Sequence, residues 1–363
     1  MMIGIIGGGQ LAKMMVLAGY PMGQEFVVLD PAPDAAAGRV ARQLVGAYDD
    51  PDKLAELAKI TDVVTFDFEN VPAEAVRQLA GRVPVYPGAD ALAAAQDRLN
   101  EKTLFTELGI PTPDFRNIAS PADLEQGIMD LGLPAVLKTR RLGYDGKGQY
   151  VLRSREDLPA AWVAIDNQPA ILEQFVNFDR EVSIIAVRGL QGEIAYYPLV
   201  ENIHREGILR LSKAPYQDAE LQTQAETIIR PLLQKLNYVG VLALELFVKD
   251  RGLLANEMAP RVHNTGHWTI EGAGVSQFEN HLRAITGLPL GTTEAHSCAA
   301  MINFISTLPS AEKILSIPGC HFHDYGKKPR PGRKIGHATL RASTPEKLQE
   351  KIDAILKIID ARI

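Results

Sequence analysis

The chain carries few of the marks of a secreted, membrane or fibrous protein. Its 363 residues include two cysteines, Cys298 and Cys320, too few and too isolated for a disulfide framework or a metal-ligand quartet. Free thiols in a reduced, cytoplasmic setting are therefore expected. No apolar run approaches the length of a membrane span. The start MMIGII reaches glycine long before a secretory apolar core is complete, so an unexported, soluble protein is expected. Positive charge is short: 38 Lys and Arg face 44 Asp and Glu, a net charge of −6, which disfavours bulk attraction to nucleic acid or anionic membranes. Internal repeats and low-complexity tracts are absent from the sequence. What remains, 46% apolar and 23% charged residues, is the composition of ordinary globular domains, and the length suits two or three of them.

MIGIIGGGQLAKMMVLAG reads as a buried strand, a glycine turn and a helix. Strands EFVVLD and DVVTFDFE follow, with helical stretches near 51–59 and 72–80. This alternation predicts a parallel α/β domain over 1–99, with ligands beyond the C-terminal ends of its strands. Helix RLNEKTLFTELG, closed by Gly109 and stopped by IPTP, suits a domain junction. Short strands AVLKTR, GQYVLR, AILEQFV, EVSIIAVRG and GEIAYYPLV then dominate, followed by a long helix near 217–236 and GVLALELFVKDRGLLANEMA. They predict a mainly antiparallel α+β domain over 100–291, with lobes of about 110–168 and 169–291. The last segment, 292–363, carries strand AAMINFI, the basic stretch YGKKPRPGRKIGHATLR and a closing helix.

GGGQLA at 7–12 fits G-x-G-x-x-A after a strand, and Asp30 lies where a ribose-binding acid would stand. That pattern alone would suggest a dinucleotide-dependent oxidoreductase, but any tight strand-to-helix turn wants glycine, and any helix N-terminus accepts an anion. Glu69, just after VVTFDF, sits where a parallel sheet presents ligand-facing residues, although a solvated loop carboxylate fits the same position.

A second constellation is sharper. KDRGL suits a three-residue hairpin loop, Asp250-Arg251-Gly252, with the glycine left-handed and Lys249 paired with Leu253. Counting outward places Glu245 opposite Glu257, with Cβ atoms roughly 5 Å apart on one face. Like charges so placed repel unless a cation lies between them, and oxygen donors, Asn256 included, favour Mg²⁺. A register shifted by one would instead send the two side chains to opposite faces.

Lys138 lies in the apolar strand AVLKTR, where an ammonium needs an anion to reach. The loop after it, Gly143-Tyr144-Asp145-Gly146-Lys147-Gly148-Gln149, can bring backbone N–H groups close to phosphate because its glycines carry no Cβ. It lacks the G-K-[ST] ending of a P-loop and joins strand to strand, so the expectation is a phosphate lid. AILEQFV, with Glu173, Gln174, Phe175 and Val176, fits a strand whose backbone edge reads a purine, and Glu181 an acid for ribose hydroxyls.

IGIIGGGQLAKM, QDRLNEK, VLKTRRLGYDGKGQ, EQFVNFDREVSIIAVR, YPLVENIHREGIL, ALELFV, NEMAPRVHNTGHWTIEG and RPGRKIGH together cover essentially the whole chain, and their combination is highly specific. On these stretches the sequence resembles the ATP-grasp superfamily and, within it, the 5-(carboxyamino)imidazole ribonucleotide synthase family, the ATPase subunit of bacterial phosphoribosylaminoimidazole carboxylase. The resemblance implies an ATP-grasp fold behind a parallel-sheet domain, with a small C-terminal domain. It implies ATP held by Arg98, Lys138, the loop 143–149, residues 173–176, Glu181, His204, Asn256 and Glu257, with Mg²⁺ on Glu245 and Glu257. The implied reaction, in de novo purine synthesis, phosphorylates bicarbonate to carboxyphosphate, which the amine of 5-aminoimidazole ribonucleotide captures as a carbamate. Arg261 is expected to grip bicarbonate, with His263 and Asn264 beside it; Tyr144 and Asp145 would meet the second substrate, Asp145 as one acceptor for the amine's proton. The 5′-phosphate is assigned to Lys327, Arg333 and Lys334, with Gly8, Gly9, Gln10, Leu11 and Glu69 on the opposite wall. The resemblance also implies a homodimer. The nearest alternative is the formate-using enzyme that formylates glycinamide ribonucleotide, whose turn usually reads Gly-Glu-Leu where this chain has Gly9-Gln10-Leu11.

Overall fold

A computed structural model of the chain describes residues 1–143 and 147–360. Strands β1 (Met2–Ile6), β2 (Glu25–Asp30), β3 (Arg42–Val45) and β4 (Val63–Phe66) form a parallel sheet in the order β3-β2-β1-β4. Helices α1 (Gln10–Gly19), α2 (Pro51–Ile60), α3 (Ala73–Ala80) and α4 (Ala89–Ala95) follow this part of the chain. α2 starts where Asp50 accepts the N–H groups of Asp52 and Lys53, with Pro51 in the first turn, where its missing N–H costs nothing. DVVTFDFE forms a shorter strand than its pattern suggests. β4 stops at Phe66, after which Asp67 turns its carboxylate under α1 and accepts the Ala12 N–H at 3.1 Å.

Helix α5 (Arg98–Glu107) leads into a four-stranded antiparallel sheet of β5 (Phe115–Ile118), β6 (Ala135–Thr139), β7 (Gln149–Leu152) and β8 (Ala170–Gln174), ordered β5-β8-β6-β7. Helices α6 (Pro121–Leu131) and α7 (Leu158–Ala164) pack on it through a core that includes Leu124, Ile128, Leu137, Ala161 and Leu172.

The remaining strands make one large antiparallel sheet: β9 (Arg180–Arg188), β10 (Ile194–Tyr196), β11 (Val200–Arg205), β12 (Ile208–Ala214), β13 (Gly240–Lys249), β14 (Gly252–Ala259), β15 (Cys298–Ile305), β16 (Cys320–Asp324) and β17 (Lys334–Ala342). Their order is β14-β13-β9-β11-β12-β15-β17-β16, with β10 beside β9. GEIAYYPLV, read as one strand, is two: Pro198, which has no N–H for a ladder, lies between β10 and β11. The segment after 292 builds no sheet of its own among the described residues, because β15 pairs with β12 and carries β17 and β16 outward. Helices α8 (Ala219–Lys235), α9 (Thr269–Gly272), α10 (Gln277–Thr286), α11 (Ala311–Leu315) and α12 (Pro345–Ile358) complete the chain.

One core joins the parallel sheet to the large one. Ile5, Met15 and Phe26 pack with Ile185, Val241, Trp268 and Phe278. Buried His281 on α10 locks this junction: its Nδ1 accepts the Val241 N–H at 3.1 Å, leaving Nε2–H to donate to Thr65 Oγ1 on β4 at 2.8 Å.

Candidate active site

The glycine turn between β1 and α1 is filled from below by carboxylates. Gly8 N–H donates to Asp30 Oδ2 at 2.7 Å, and a Cβ at Gly8 would lie 2.7 Å from that of Ala35. Asp30 also accepts the Ala32 N–H at 2.8 Å and the Tyr48 hydroxyl at 3.2 Å. It is buried and fully engaged inside the domain, so the dinucleotide reading loses its ribose-binding acid. Of the neighbouring expectations, Gly9 caps α1, the Leu11 side chain belongs to the core, and Gln10 accepts a hydrogen bond from Lys327. Burial, and then the nearby Arg333 charge, push the Lys327 ammonium down to about 8. A cluster of cations so placed relaxes when an anion arrives.

Glu245 and Glu257 are directly opposite each other across β13 and β14. The route to that register differs from the expected one. The turn has two residues, Asp250 and Arg251, both at positive φ, and Lys249 pairs with Gly252 rather than Leu253. A bulge at Asn256 then adds one residue to β14 and brings the count back, so the two departures cancel. Asn256 Oδ1 is buried without a hydrogen-bond partner among the described residues. Arg98 Nη1 binds Glu257 Oε2 at 2.7 Å. Burial raises Glu257, but the Arg98 charge and hydrogen bond outweigh it and hold the carboxyl below its usual range. Although densely surrounded, 41% of the Glu257 side chain remains accessible, so it is open to a ligand and partly screened by water. Glu245 is displaced the other way, first by burial and then by the Glu257 charge.

Lys138 on β6 is held by Glu173 Oε2 at 2.7 Å. Here the structure corrects a second expectation. β8 is an interior strand, paired with both β5 and β6, so Glu173 presents no free backbone edge and its side chain instead aims Lys138. The chain leaves the sheet after Gln174, with Phe175 and Val176 half-buried beyond it. Glu181 and His204 face each other, Oε2 to Nδ1 at 3.1 Å, an ion-pair distance without hydrogen-bond alignment. Opposite Ile203 and His204 the partner strand β12 carries a bulge, with Arg210 as its extra residue. Burial opposes protonation of His204, but Glu181 and Glu245 prevail and raise its pKa.

Tyr144, Asp145 and Gly146 lie outside the described residues. At the base of the loop, Thr139 N–H donates to Gly148 O at 2.7 Å, and a Cβ at Gly143 would lie 3.5 Å from Arg98 Nη2. Lys147 and Gln149 are exposed, and Gln149 pairs with Lys138 in the ladder.

Arg261 forms an ion pair with Glu69, joining the large sheet to the loop after β4 and bringing together two residues assigned to different substrates. Burial raises the Glu69 carboxyl, yet Arg261 prevails and it stays ionised. His263 is kept neutral by burial and by the charges of Arg261 and Lys334, so its Nε2, 3.7 Å from Glu245 Oε1, makes no charge pair. Asn264 is buried with its amide taken up by Asn303: it donates to Asn303 Oδ1 at 3.2 Å and accepts from Nδ2 at 2.7 Å.

Sequence reasoning missed Asp97 and Arg140. Arg140 binds Asp97 through two nitrogens, Nε at 3.0 Å and Nη2 at 2.7 Å, and its carbonyl accepts the Arg98 N–H at 2.9 Å, so the base of the glycine loop is tied to the start of α5. An aspartate before a helical run is an N-cap signal, and Asp97 does accept the Leu99 N–H; its second partner had no local trace. The donors suit a hard divalent cation: two carboxylates across a ladder, and a buried amide oxygen lacking a partner.

A bilobed nucleotide-grasping architecture behind a parallel-sheet domain is what this arrangement defines, and residues 103–278 match the ATP-grasp domain. Residues 1–96 match the ribonucleotide synthetase preATP-grasp domain, and residues 299–351 the phosphoribosylaminoimidazole carboxylase C-terminal domain. A Pseudomonas aeruginosa protein named N5-carboxyaminoimidazole ribonucleotide synthase is 53% identical over 361 residues, 99% of this chain and 100% of that one. The crystal structure of N5-carboxyaminoimidazole ribonucleotide synthetase from Thermus thermophilus matches with a TM-score of 0.96 and 52% identity, covering 99% of each chain. The Aspergillus clavatus synthase, solved in complex with ADP and 5-aminoimidazole ribonucleotide, matches with a TM-score of 0.93 and 31% identity, covering 99% of this chain and 98% of that one. The chain belongs to the N5-carboxyaminoimidazole ribonucleotide synthase family.

Proposed function

We propose that this chain catalyses ATP-dependent carboxylation of 5-aminoimidazole ribonucleotide with bicarbonate, giving the N5-carboxyamino product of purine synthesis through carboxyphosphate. The observation that carries the reading is the convergence of Glu245, Asn256 and Glu257 with Arg98 and Lys138, since a triphosphate needs cations and a metal-ready oxygen set in one place.

Lys138, kept in place by Glu173, and Arg98 supply fixed positive charge to the phosphates. Glu245, Glu257 and Asn256 would hold Mg²⁺, which neutralises phosphate charge when bound. The loop 143–149 would shield the acyl phosphate from water, and Tyr144 and Asp145, outside the described residues, are the proposed contacts of the ribonucleotide. Glu181 and His204 take the nucleoside end beside residues 174–176, while Glu173 holds Lys138. Arg261, whose planar fork suits a planar oxyanion, grips bicarbonate while Glu69 orients it. His263 lines this pocket as a neutral imidazole; Asn264, bound to Asn303, braces it. Lys327, Arg333 and Lys334 receive the 5′-phosphate opposite Gly8, Gly9, Gln10 and Leu11.

The division into 1–99, 100–291 and 292–363 then separates ribonucleotide, nucleotide and phosphate-binding parts. A cytoplasmic homodimer completes the reading; no helix of the described residues is long and apolar enough to cross a membrane. The test is ADP release with incorporation of labelled bicarbonate. Turnover must require Mg²⁺, bicarbonate and 5-aminoimidazole ribonucleotide together. Turnover on formate and glycinamide ribonucleotide, with none on the imidazole, would overturn the choice.

A further inference from the structure

An adjacent acid and base on α5 are almost entirely shielded from solvent: Glu101 is 2% exposed and Lys102 0%. Neither is assigned to any ligand above, and burial pushes the Glu101 carboxyl up and the Lys102 ammonium down, so such groups are costly to bury unless hydrogen-bond partners satisfy them. What they hold is the outer edge of β14, which has only β13 as a strand neighbour. Glu101 Oε1 accepts the Met258 N–H at 2.7 Å. Lys102 Nζ donates to the Ala255 carbonyl at 3.0 Å and to Thr112 Oγ1 at 3.0 Å. These two backbone anchors flank Asn256 and Glu257, the bulged residue and the carboxylate beside it. Lys102 also reaches the other wall, 3.8 Å from Glu173 Oε2, the oxygen that holds Lys138. Arg98, one turn earlier on the same helix, binds Glu257 itself.

We propose that Glu101 and Lys102 are positioning residues for the nucleotide: gripping the backbone of β14 on both sides of the bulge, they set where Asn256 and Glu257 stand, and Lys102 steadies Lys138 through Glu173. A bulge is a local loosening of the ladder, and an edge strand has no second neighbour to hold it in register. The helix side chains share that function with the segment after α5, where Thr112 Oγ1 also donates to the Ala255 carbonyl at 3.0 Å. Because both walls are reached from one helix turn, α5 contributes to the separation between Lys138 and Glu257, together with segment 111–114, whose Pro111 carbonyl accepts the Ala255 N–H at 2.7 Å and whose Asp114 carbonyl accepts the Gln174 N–H at 2.8 Å. The proposal rests on the reading of Asn256, Glu257 and Lys138 as nucleotide ligands.

The test compares Mg²⁺–ADP affinity by titration calorimetry, and steady-state kinetics, for the wild-type chain, Glu101→Gln, Glu101→Ala and Lys102→Met. Glu101→Gln keeps an acceptor for Met258 N–H and is expected to bind ADP like wild type. Glu101→Ala and Lys102→Met are expected to weaken ADP about tenfold or more and to raise KM for ATP in step. KM for the ribonucleotide should stay within about twofold, since its phosphate site is built elsewhere. Unchanged ADP affinity in Glu101→Ala and Lys102→Met would overturn the proposal. So would a parallel rise in KM for both substrates that tracks lost thermal stability, the signature of general loosening. If Lys102→Met does not fold, the contrast between Glu101→Gln and Glu101→Ala decides. A wild-type chain that fails to bind ADP would sink the nucleotide reading and this proposal together, whereas a wild type that binds it with equally competent variants sinks this proposal alone.

Discussion

Glu245 on β13 and Glu257 on β14 stand opposite each other, yet their charges are balanced unequally. Glu257 has Arg98 at 2.7 Å, while Glu245 has a neutral His263 at 3.7 Å. Glu257→Gln keeps the shape and removes the charge. Turnover is expected to fall at least about 100-fold, with thermal stability little changed because the side chain is open to water. ADP release and a thermal melt measure the two effects; full activity in this variant would contradict the metal assignment.

The proposed place of Lys327 at the ribonucleotide's phosphate predicts a pH dependence. Its ammonium, pushed down to about 8 by burial and Arg333, binds phosphate only while protonated, so the bound form has the higher pKa. Affinity is fully present below about pH 8 and is lost as pH rises above it. KM for the ribonucleotide should climb through that window while KM for ATP does not. Lys327→Met should show a high, flat KM profile.

Gly148 is required for two independent reasons. Its φ is +71°, and a Cβ there would meet Thr139 Oγ1 at 2.6 Å. Gly148→Ala is expected to cost about 1–2 kcal/mol locally and to raise KM for ATP. Gly143→Ala, with its nearest contact at 3.2 Å and no positive φ, should be milder. A kinetic comparison in which both behave as wild type would remove the loop from nucleotide binding.

Acid stability should depend on His281. Burial pushes its pKa down from the ordinary 6.5 to about 3, and both ring nitrogens are already engaged. The unfolded chain therefore binds the extra proton between those values, so stability present above pH 6.5 is lost as pH falls toward 3. Replacing it, as in His281→Asn, should lower stability at neutral pH but reduce the acid slope by about one proton. Denaturant melts at several pH values measure that slope.

Several features were legible locally. The strand, glycine turn and helix of residues 2–19, the capped helix at Pro51–Ile60 and the long helix at Ala219–Lys235 all follow from apolar period and cap residues. The pairing of Glu245 with Glu257 was legible only because the tighter turn and the bulge at Asn256 compensate, and turn chemistry by itself did not reveal either. β3, β5, β12 and β16 left little trace; β5, for example, exposes both of its middle residues and so shows no clean alternation.

Sequence by itself determined the chemistry available, meaning which cations, carboxylates and glycines exist and which of them share a strand face or a turn, because period and turn propensity act over a few residues. Tertiary structure decided their partners: Arg98 meets Glu257, Arg261 meets Glu69, Lys327 meets Gln10, and Asp30 closes the turn that it first seemed to serve as a ribose ligand. Those contacts join residues far apart in the chain, and burial, which sets which charges persist, depends on the whole fold.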